Sequence, residues 1–311
     1  VYMSFQVYID GQAGTTGLQL RQKLEQHGGV ELLLIPEEKR KDIAERKKLM
    51  NAADVVFLCL PDAAAKEAVT LVDNPHTCII DASTAHRTAE GWAYGFPELS
   101  QKHHDAILTS KRIANPGCHA TGFIAAAYPL LAHGIVTEDF PFTCYSLTGY
   151  SGGGKSMIAE YEDSNRSYEY DSPRQYALPQ MHKHLPEMQK VTGISTPPVF
   201  MPIVGDFYSG MATCIPLHTR FFQKKVTKAD LLEIFQTHYA GCSMISVEAA
   251  DEGFLAANEI KETNRLKLYI SGNDDRLTLV SVFDNLGKGA SGAAVQNMNL
   301  VLGLPETQGL L

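Results

Sequence analysis

Residues 54–60 read Asp-Val-Val-Phe-Leu-Cys-Leu, an apolar run that does not alternate with polar residues and stands between two helical patterns. A strand with one wet face alternates; one that does not must be covered on both faces. Phe5 to Ile9, Glu31 to Ile35 and Thr77 to Ile80 are further short β-rich runs. Thr15 to Gln26, Lys41 to Met50 and Ala63 to Val72 between them read as helices. Buried strands alternating with helices predict a doubly wound, Rossmann-like α/β domain on a parallel sheet.

The character changes after about Cys118. Phe142 to Leu147, Met211 to Leu217, Leu266 to Ile270 and Leu277 to Phe283 alternate more clearly and are separated by long polar stretches. They predict an α+β domain with a mostly antiparallel sheet. Gly289 to Leu302 reads as a Gly/Ala-rich helix. With 311 residues and neither repeat nor low-complexity linker, the chain has material for two self-sufficient cores.

Charge narrows the partners. Lys and Arg number 27 against 35 Asp and Glu, a formal net charge of −8, so neither nucleic acid nor an anionic membrane is an expected partner. No apolar run approaches the ~20 residues of a membrane helix. The six cysteines form no CxxC pair and most sit in apolar runs. No basic-then-apolar leader precedes them, so free thiols in a reducing cytoplasm are expected. Val1 and Tyr2, ahead of Met3, are read as extraneous to the fold.

Directly after the first strand stands Asp10-Gly11-Gln12-Ala13-Gly14-Thr15-Thr16-Gly17. Glycines at this spacing let the backbone turn sharply and approach a pyrophosphate, whose charge then lies on the N-terminus of the following helix. The alternative is a plain strand-to-helix turn. After the second strand no acidic residue waits for a ribose 2′-hydroxyl in the usual way. Lys39-Arg40-Lys41 follows instead, suited to a 2′-phosphate or to a solvated charged face.

Asn115-Pro116-Gly117-Cys118 precedes an apolar helix, Phe123 to Leu131, which places Cys118 at a helix N-terminus where the dipole favours a thiolate. A turn cysteine without a role is the competing reading. His182-Lys183-His184, with Glu187 nearby, offers acid/base chemistry near neutral pH. A metal would need a further ligand cluster, and none stands out, so no metal is expected. His182 and His184 are one residue apart, which points their rings different ways and leaves one to face Cys118. Gly149-Tyr150-Ser151-Gly152-Gly153-Gly154-Lys155-Ser156 matches the phosphate-binding pattern G-x-x-x-x-G-K-S, which keeps a P-loop nucleotide hydrolase open.

Taken in order, these segments resemble the short-form N-acetyl-gamma-glutamyl-phosphate reductases, relatives of the aspartate-semialdehyde dehydrogenases. The resemblance runs nearly end to end. It includes Ile9 to Gly17, Leu58-Cys59-Leu60-Pro61-Asp62, Asp81-Ala82-Ser83-Thr84-Ala85-His86-Arg87 and Tyr94-Gly95-Phe96-Pro97-Glu98-Leu99. It continues through Asn115 to Cys118, Ser146 to Lys155, His182 to Glu187, Val204-Gly205-Asp206-Phe207-Tyr208 and Asp284 to Gly292. His119 departs from it, because the family usually has Phe or Tyr after the cysteine.

The resemblance implies Cys118 as nucleophile and His182 as acid/base. It implies a cofactor, NADP(H), held by Gly11, Ala13, Gly14, Thr15, Thr16, Gly17, Arg40, Ser83, Asn285 and Gly287. Arg87, Asn115 and Lys155 become substrate-binding residues, and the P-loop match becomes a coincidence. Residues 1–117 would be the dinucleotide-binding domain, completed by the C-terminal helix in 286–311, and 118–285 the catalytic domain. The implied reaction reduces an acyl phosphate to a semialdehyde through a cysteine thioester, in a homo-oligomer. Aspartate-semialdehyde dehydrogenase is the nearest alternative, with the same chemistry.

Overall fold

The computed structural model describes residues 4–311; Val1 and Tyr2 lie outside the described residues. The chain divides into two compact units, one made of the residues up to Pro116 together with Ala290–Leu311, the other of Gly117–Gly289.

In the first unit β1 (Phe5–Asp10), α1 (Thr15–Glu25), β2 (Val30–Leu33), α2 (Ile43–Ala52), β3 (Val55–Leu58), α3 (Asp62–Val69) and β4 (Cys78–Asp81) alternate as the sequence predicts. β5 (Ala93–Tyr94), α4 (Gln101–Thr109) and β6 (Arg112–Ala114) follow. The six strands lie in the order β2-β1-β3-β4-β6-β5 and every pairing is parallel. All four residues of β3 are buried, as an apolar run covered on both faces requires. The sheet grows outward from β1 in both directions. The carboxyl end of β1 is therefore a topological switch point, the place where open α/β sheets bind ligands. Asp42 caps α2, its carboxylate accepting from Glu45 N–H at 3.1 Å.

The second unit opens with α5 (Cys118–Ala132), which is apolar on all sides and buries eleven of its fifteen residues. Pro129 inside it has no N–H for the carbonyl of Ala125. The Tyr239 hydroxyl donates to that carbonyl at 2.7 Å and replaces the missing bond. β7 (Thr143–Gly149), α6 (Gly154–Glu162), β8 (Arg174–Gln175), α7 (Leu185–Thr192), β9 (Val199–Gly205) and β10 (Met211–His218) follow. The unit ends with α8 (Lys228–His238), β11 (Ile245–Ala249), β12 (Leu266–Gly272) and β13 (Arg276–Phe283). The sheet order is β11-β12-β13-β10-β7-β9-β8. Four pairings are antiparallel, while β7–β9 and β11–β12 run parallel, so the sheet is mixed. α5 packs on β10 and β13, with Gly122 leaving room for the Thr213 side chain.

A single π-turn over Gly287–Ser291 leads into α9 (Gly292–Leu302), which packs on α1, α4 and β4 of the first unit. Among the described residues no helix is long and apolar enough to cross a membrane.

Candidate active site

The turn after β1 is shaped by its own contacts. Gly11 has φ +85°, and a Cβ there would lie 2.2 Å from the Cys59 carbonyl oxygen, so only glycine fits. A Cβ on Gly17 would meet the Gly11 carbonyl at 2.4 Å. Gly14 differs: it is the N-cap of α1 at φ −75°, and its Cβ would touch only the Gly11 oxygen, at an ordinary 3.6 Å. Packing does not demand glycine at position 14; a group drawn up to the first N–H groups of α1 would. Thr15 and Thr16 begin that helix.

Beside this turn opens a cleft of about 360 Å³ whose walls include Tyr8, Gly11, Ala13, Arg40, Lys41 and Arg46. Three cations around a glycine turn suit an anionic dinucleotide with an extra phosphate. Arg40 forms an exposed ion pair with Glu37 at 2.8 Å. Arg46, which the sequence reading missed, donates from Nη2 to the buried Asp10 carboxylate at 2.8 Å. Nothing in the local pattern marks it, because Asp10 and Arg46 belong to different elements.

The other residues expected near the cofactor are placed as follows. Ser83 is buried, with its N–H and hydroxyl both directed to Asp81, at 2.9 and 2.8 Å. The same carboxylate holds His86 Nδ1 at 2.6 Å, and the His86 ring stacks on Trp92. Asn285 and Gly287 lie in the second unit. Asn285 accepts from Gly210 N–H at 2.9 Å and donates to Ser151 Oγ at 3.0 Å, while Gly287 packs against the Thr263 carbonyl. Arg87 donates from Nε to the Asn115 carbonyl and from Nη2 to the Ala82 carbonyl, bracing the segment that leads out of β6. The Asn115 amide donates to the Ala290 carbonyl at 2.9 Å and receives Asn297 Nδ2 at 3.3 Å. Lys155 is exposed near the start of α6.

The glycine-rich run before Lys155 does not form a phosphate cradle. It folds into a 3₁₀ turn over Tyr150–Gly153. The N–H groups of Gly149, Tyr150 and Ser151 donate to the carbonyls of Gly210, Phe207 and Tyr208, at 2.9, 2.9 and 3.0 Å. A P-loop needs such N–H groups turned towards the phosphates. Here the protein itself takes them.

Cys118 is the first residue of α5, half-buried, with Gly117 as N-cap. The N–H groups of a helix's first turn have no acceptor within the helix and favour negative charge. The buried Glu187 carboxylate fixes the approach by accepting from Gly117 N–H at 3.1 Å. Elsewhere burial works against reactivity: it pushes the Cys59 and Cys78 thiols up to about 12 and those of Cys144 and Cys214 upward.

Around the residue after Cys118 four rings converge. The His119 ring meets His182 edge-on, centroids 5.4 Å apart, with His184 at 5.8 Å, Phe200 at 5.3 Å and Tyr176 at 6.1 Å. His182 and His184 are 4.7 Å apart. The expectation that they point different ways is therefore corrected. Leu185 N–H bonds back to the His182 carbonyl, and this tight turn turns both rings to one side. His184 holds the N-cap position of α7 without a side-chain cap, and its N–H donates to His182 Nδ1 at 3.1 Å. A nitrogen that accepts carries no proton, so neutral His182 holds its proton on Nε2. Among the described residues no group of three or more His, Cys, Asp or Glu could hold a metal ion.

Comparison with known proteins shows the family and the fold. Residues 6–107 match the family model described as semialdehyde dehydrogenase, NAD binding domain, and residues 118–285 match semialdehyde dehydrogenase, dimerisation domain. The chain is 44% identical to N-acetyl-gamma-glutamyl-phosphate reductase 2 of Nostoc sp., over 98% of each chain. It is 46% identical to N-acetyl-gamma-glutamyl-phosphate reductase of Chelativorans sp., over 96% of this chain and 99% of that one. Among solved structures, aspartate semialdehyde dehydrogenase II of Vibrio cholerae, complexed with ASA, superposes with a TM-score of 0.73 at 15% identity. That match covers 97% of this chain and 99% of the other. Aspartate semialdehyde dehydrogenase with NADP from Candida albicans gives a TM-score of 0.66 at 14% identity, over 96% and 99%. At such identities the structural likeness establishes the two-domain fold.

Proposed function

The chain belongs to the N-acetyl-gamma-glutamyl-phosphate reductase family of the semialdehyde dehydrogenases, and from that premise we propose how its residues carry out the reaction. The enzyme reduces N-acetylglutamyl 5-phosphate to the 5-semialdehyde and phosphate with NADPH, a step of arginine biosynthesis. The observation that carries the reading is near full-length identity of 41–46% to reductases of this name, with Cys118 standing at a helix N-terminus in the matched chain.

Cys118 attacks the acyl carbon as a thiolate, and phosphate leaves, giving a thioester on Sγ. The first-turn N–H groups of α5 hold the oxyanion of the tetrahedral stage. His182, as the imidazolium, gives one proton to the departing phosphate and is left neutral, and solvent returns that proton before the next turnover. Bound NADPH supplies the hydride that reduces the thioester. Collapse of the resulting hemithioacetal then frees the aldehyde and returns the thiolate. The cleft beside the glycine turn fits this cofactor: Gly14 leaves room at the helix N-terminus, and Arg40, Lys41 and Arg46 offer charge for the 2′-phosphate. Arg87, with its guanidinium plane held by two carbonyls, is the cation proposed for the substrate phosphate. Asn115 braces the segment before the nucleophile, and Lys155 assists at the surface. Ser83, Asn285 and Gly287 support the cofactor site through the backbone they hold.

We further propose a homo-oligomer. Tyr145 on β7 and Val199 on β9 are large apolar side chains exposed on neighbouring strands of the mixed sheet. A second copy seated there would cover them. A reducing cytoplasm suits a thiolate nucleophile. The decisive assay is NADP- and phosphate-dependent oxidation of N-acetylglutamate semialdehyde beside aspartate semialdehyde. Turnover of the first alone supports the reading, and preference for the second overturns it.

A further inference from the structure

His119 directly follows the nucleophile in the chain, and the proposed reaction does not use it. Its surroundings give it a purpose. Both ring nitrogens are taken: Nδ1 lies 2.7 Å from Ser146 Oγ and Nε2 lies 2.6 Å from the Tyr176 hydroxyl. Ser146 Oγ continues to Thr213 Oγ1 at 2.8 Å. His119, Ser146 and Thr213 are all buried. With one proton on the imidazole, one nitrogen donates and the other accepts, and the hydroxyls supply the remaining donors and acceptors, so each of the three bonds is satisfied with His119 neutral.

Tyr176 opens the segment that carries His182. Two positions in this segment, Ala177 at φ +52° and Gln180 at φ +58°, hold left-handed conformations that non-glycine residues rarely adopt. Such strain persists only where the surroundings over-determine it. Here they do so from two sides. Tyr176 is bonded to the His119 ring. The Gln180 carboxamide bonds both the N–H and the carbonyl of Phe200, each at 2.8 Å, like an added length of strand. His119 and Phe200, the two residues that hold the segment, also meet the His182 ring edge-on, at 5.4 and 5.2 Å, as His184 does at 4.7 Å.

We infer that the largely buried chain Thr213–Ser146–His119–Tyr176, with Gln180 tied to Phe200 of β9 as its counterpart, positions the His182 ring for proton transfer. This rests on the reading of His182 as the acid. His119 and Tyr176 are positioning residues: they act through the segment and the ring. Burial first, then the charges of His182 and Lys183, lowers the His119 pKa to about 3, which keeps the ring neutral throughout the working range.

The test compares Tyr176→Phe, His119→Phe and the double variant with the parent. Each single change removes the same link, a neutral hydrogen bond, and should lower kcat about five- to tenfold with KM within about twofold. The double variant should fall no further than the worse single one, since both cut one chain. The pH–rate limb from His182 should persist in all three, shifted, and vanish in His182→Asn. Ring-nitrogen NMR of the parent should show one His182 tautomer, and His119→Phe a mixture. That measurement uses no substrate, so an unchanged tautomer sinks the positioning inference, whereas failure of the parent to turn over its substrate sinks the reaction assignment. Unchanged kcat in Tyr176→Phe, or losses that multiply in the double variant, also overturn the inference. If His119→Phe does not fold, Gln180→Ala, an exposed change, carries the same expectation on kcat and tautomer.

Discussion

Gly14→Ala separates the glycine that the fold needs from the glycine that the ligand needs. The substitution adds one methyl at φ −75°, ψ 166°, a conformation alanine adopts freely, and its single neighbour is the Gly11 oxygen at 3.6 Å. Alanine is a clearly poorer N-cap than glycine but restricts the unfolded chain, and the two effects offset, so stability should change by no more than about 0.5–1 kcal/mol. The methyl nonetheless stands where a pyrophosphate must approach the first N–H groups of α1. Losing one charge-assisted hydrogen bond costs about 1.5–3 kcal/mol, or roughly 10- to 150-fold in affinity. Gly11→Ala is the contrast, because its Cβ would lie 2.2 Å from the Cys59 carbonyl and φ is +85°. NADPH fluorescence titration and thermal melting should show Gly14→Ala folded but weak in binding, and Gly11→Ala destabilised. Parental NADPH affinity in Gly14→Ala would refute placement of the pyrophosphate at this helix.

Cys118→Ser should fold and bind NADPH as the parent does yet lose nearly all turnover, since a serine alkoxide is too basic to form at neutral pH; retained activity after selective alkylation of Cys118 would count against a covalent route. Replacing Arg40 and Lys41 by Ala should weaken NADPH far more than NADH in paired titrations, and equal losses would make them a solvated face.

The parallel sheet was legible because its central strands β3 and β4 are buried on both faces, and a run such as Val55–Leu58 cannot be satisfied otherwise. The parallel β7–β9 and β11–β12 pairs were not, since partner choice in a mixed sheet depends on chain closures that no local pattern records. Asn115-Pro116-Gly117-Cys118 announces a helix start because proline and glycine punctuate the chain just before an apolar run. The histidine pair shows the opposite: alternation predicts divergent rings for an extended segment, but a turn closed by Leu185 N–H brings both to His119. Arg46, Tyr176 and Gln180 act through partners far away in sequence. Their residue types are ordinary for their surroundings, so only folded geometry reveals them.

The buried imidazole also gives the second unit a signature in acid. A folded-state pKa of about 3 lies below the ordinary value near 6.5, so His119 is a group whose proton is taken up more readily by the unfolded chain. Above about pH 6.5 it is neutral in both states and contributes nothing to the pH dependence. As pH falls from there towards 3, the unfolded chain gains a proton that the native state refuses, and stability declines by up to about 1.4 kcal/mol per pH unit. Between pH 6 and pH 4 this single group should remove about 2 kcal/mol. Carboxylates titrate over part of the same range, but equally in the parent and in His119→Phe. The difference between the two proteins therefore isolates the imidazole. At pH 7 the variant should be the less stable, because Ser146 and Tyr176 lose their partner. Urea unfolding at successive pH values should then show that deficit shrinking by about 2 kcal/mol as the solution is acidified from pH 6 to pH 4. A deficit that stays constant over that span would mean His119 is protonated, or reached by water, in the native protein. The closed chain from Thr213 to Tyr176 would then have to be redrawn.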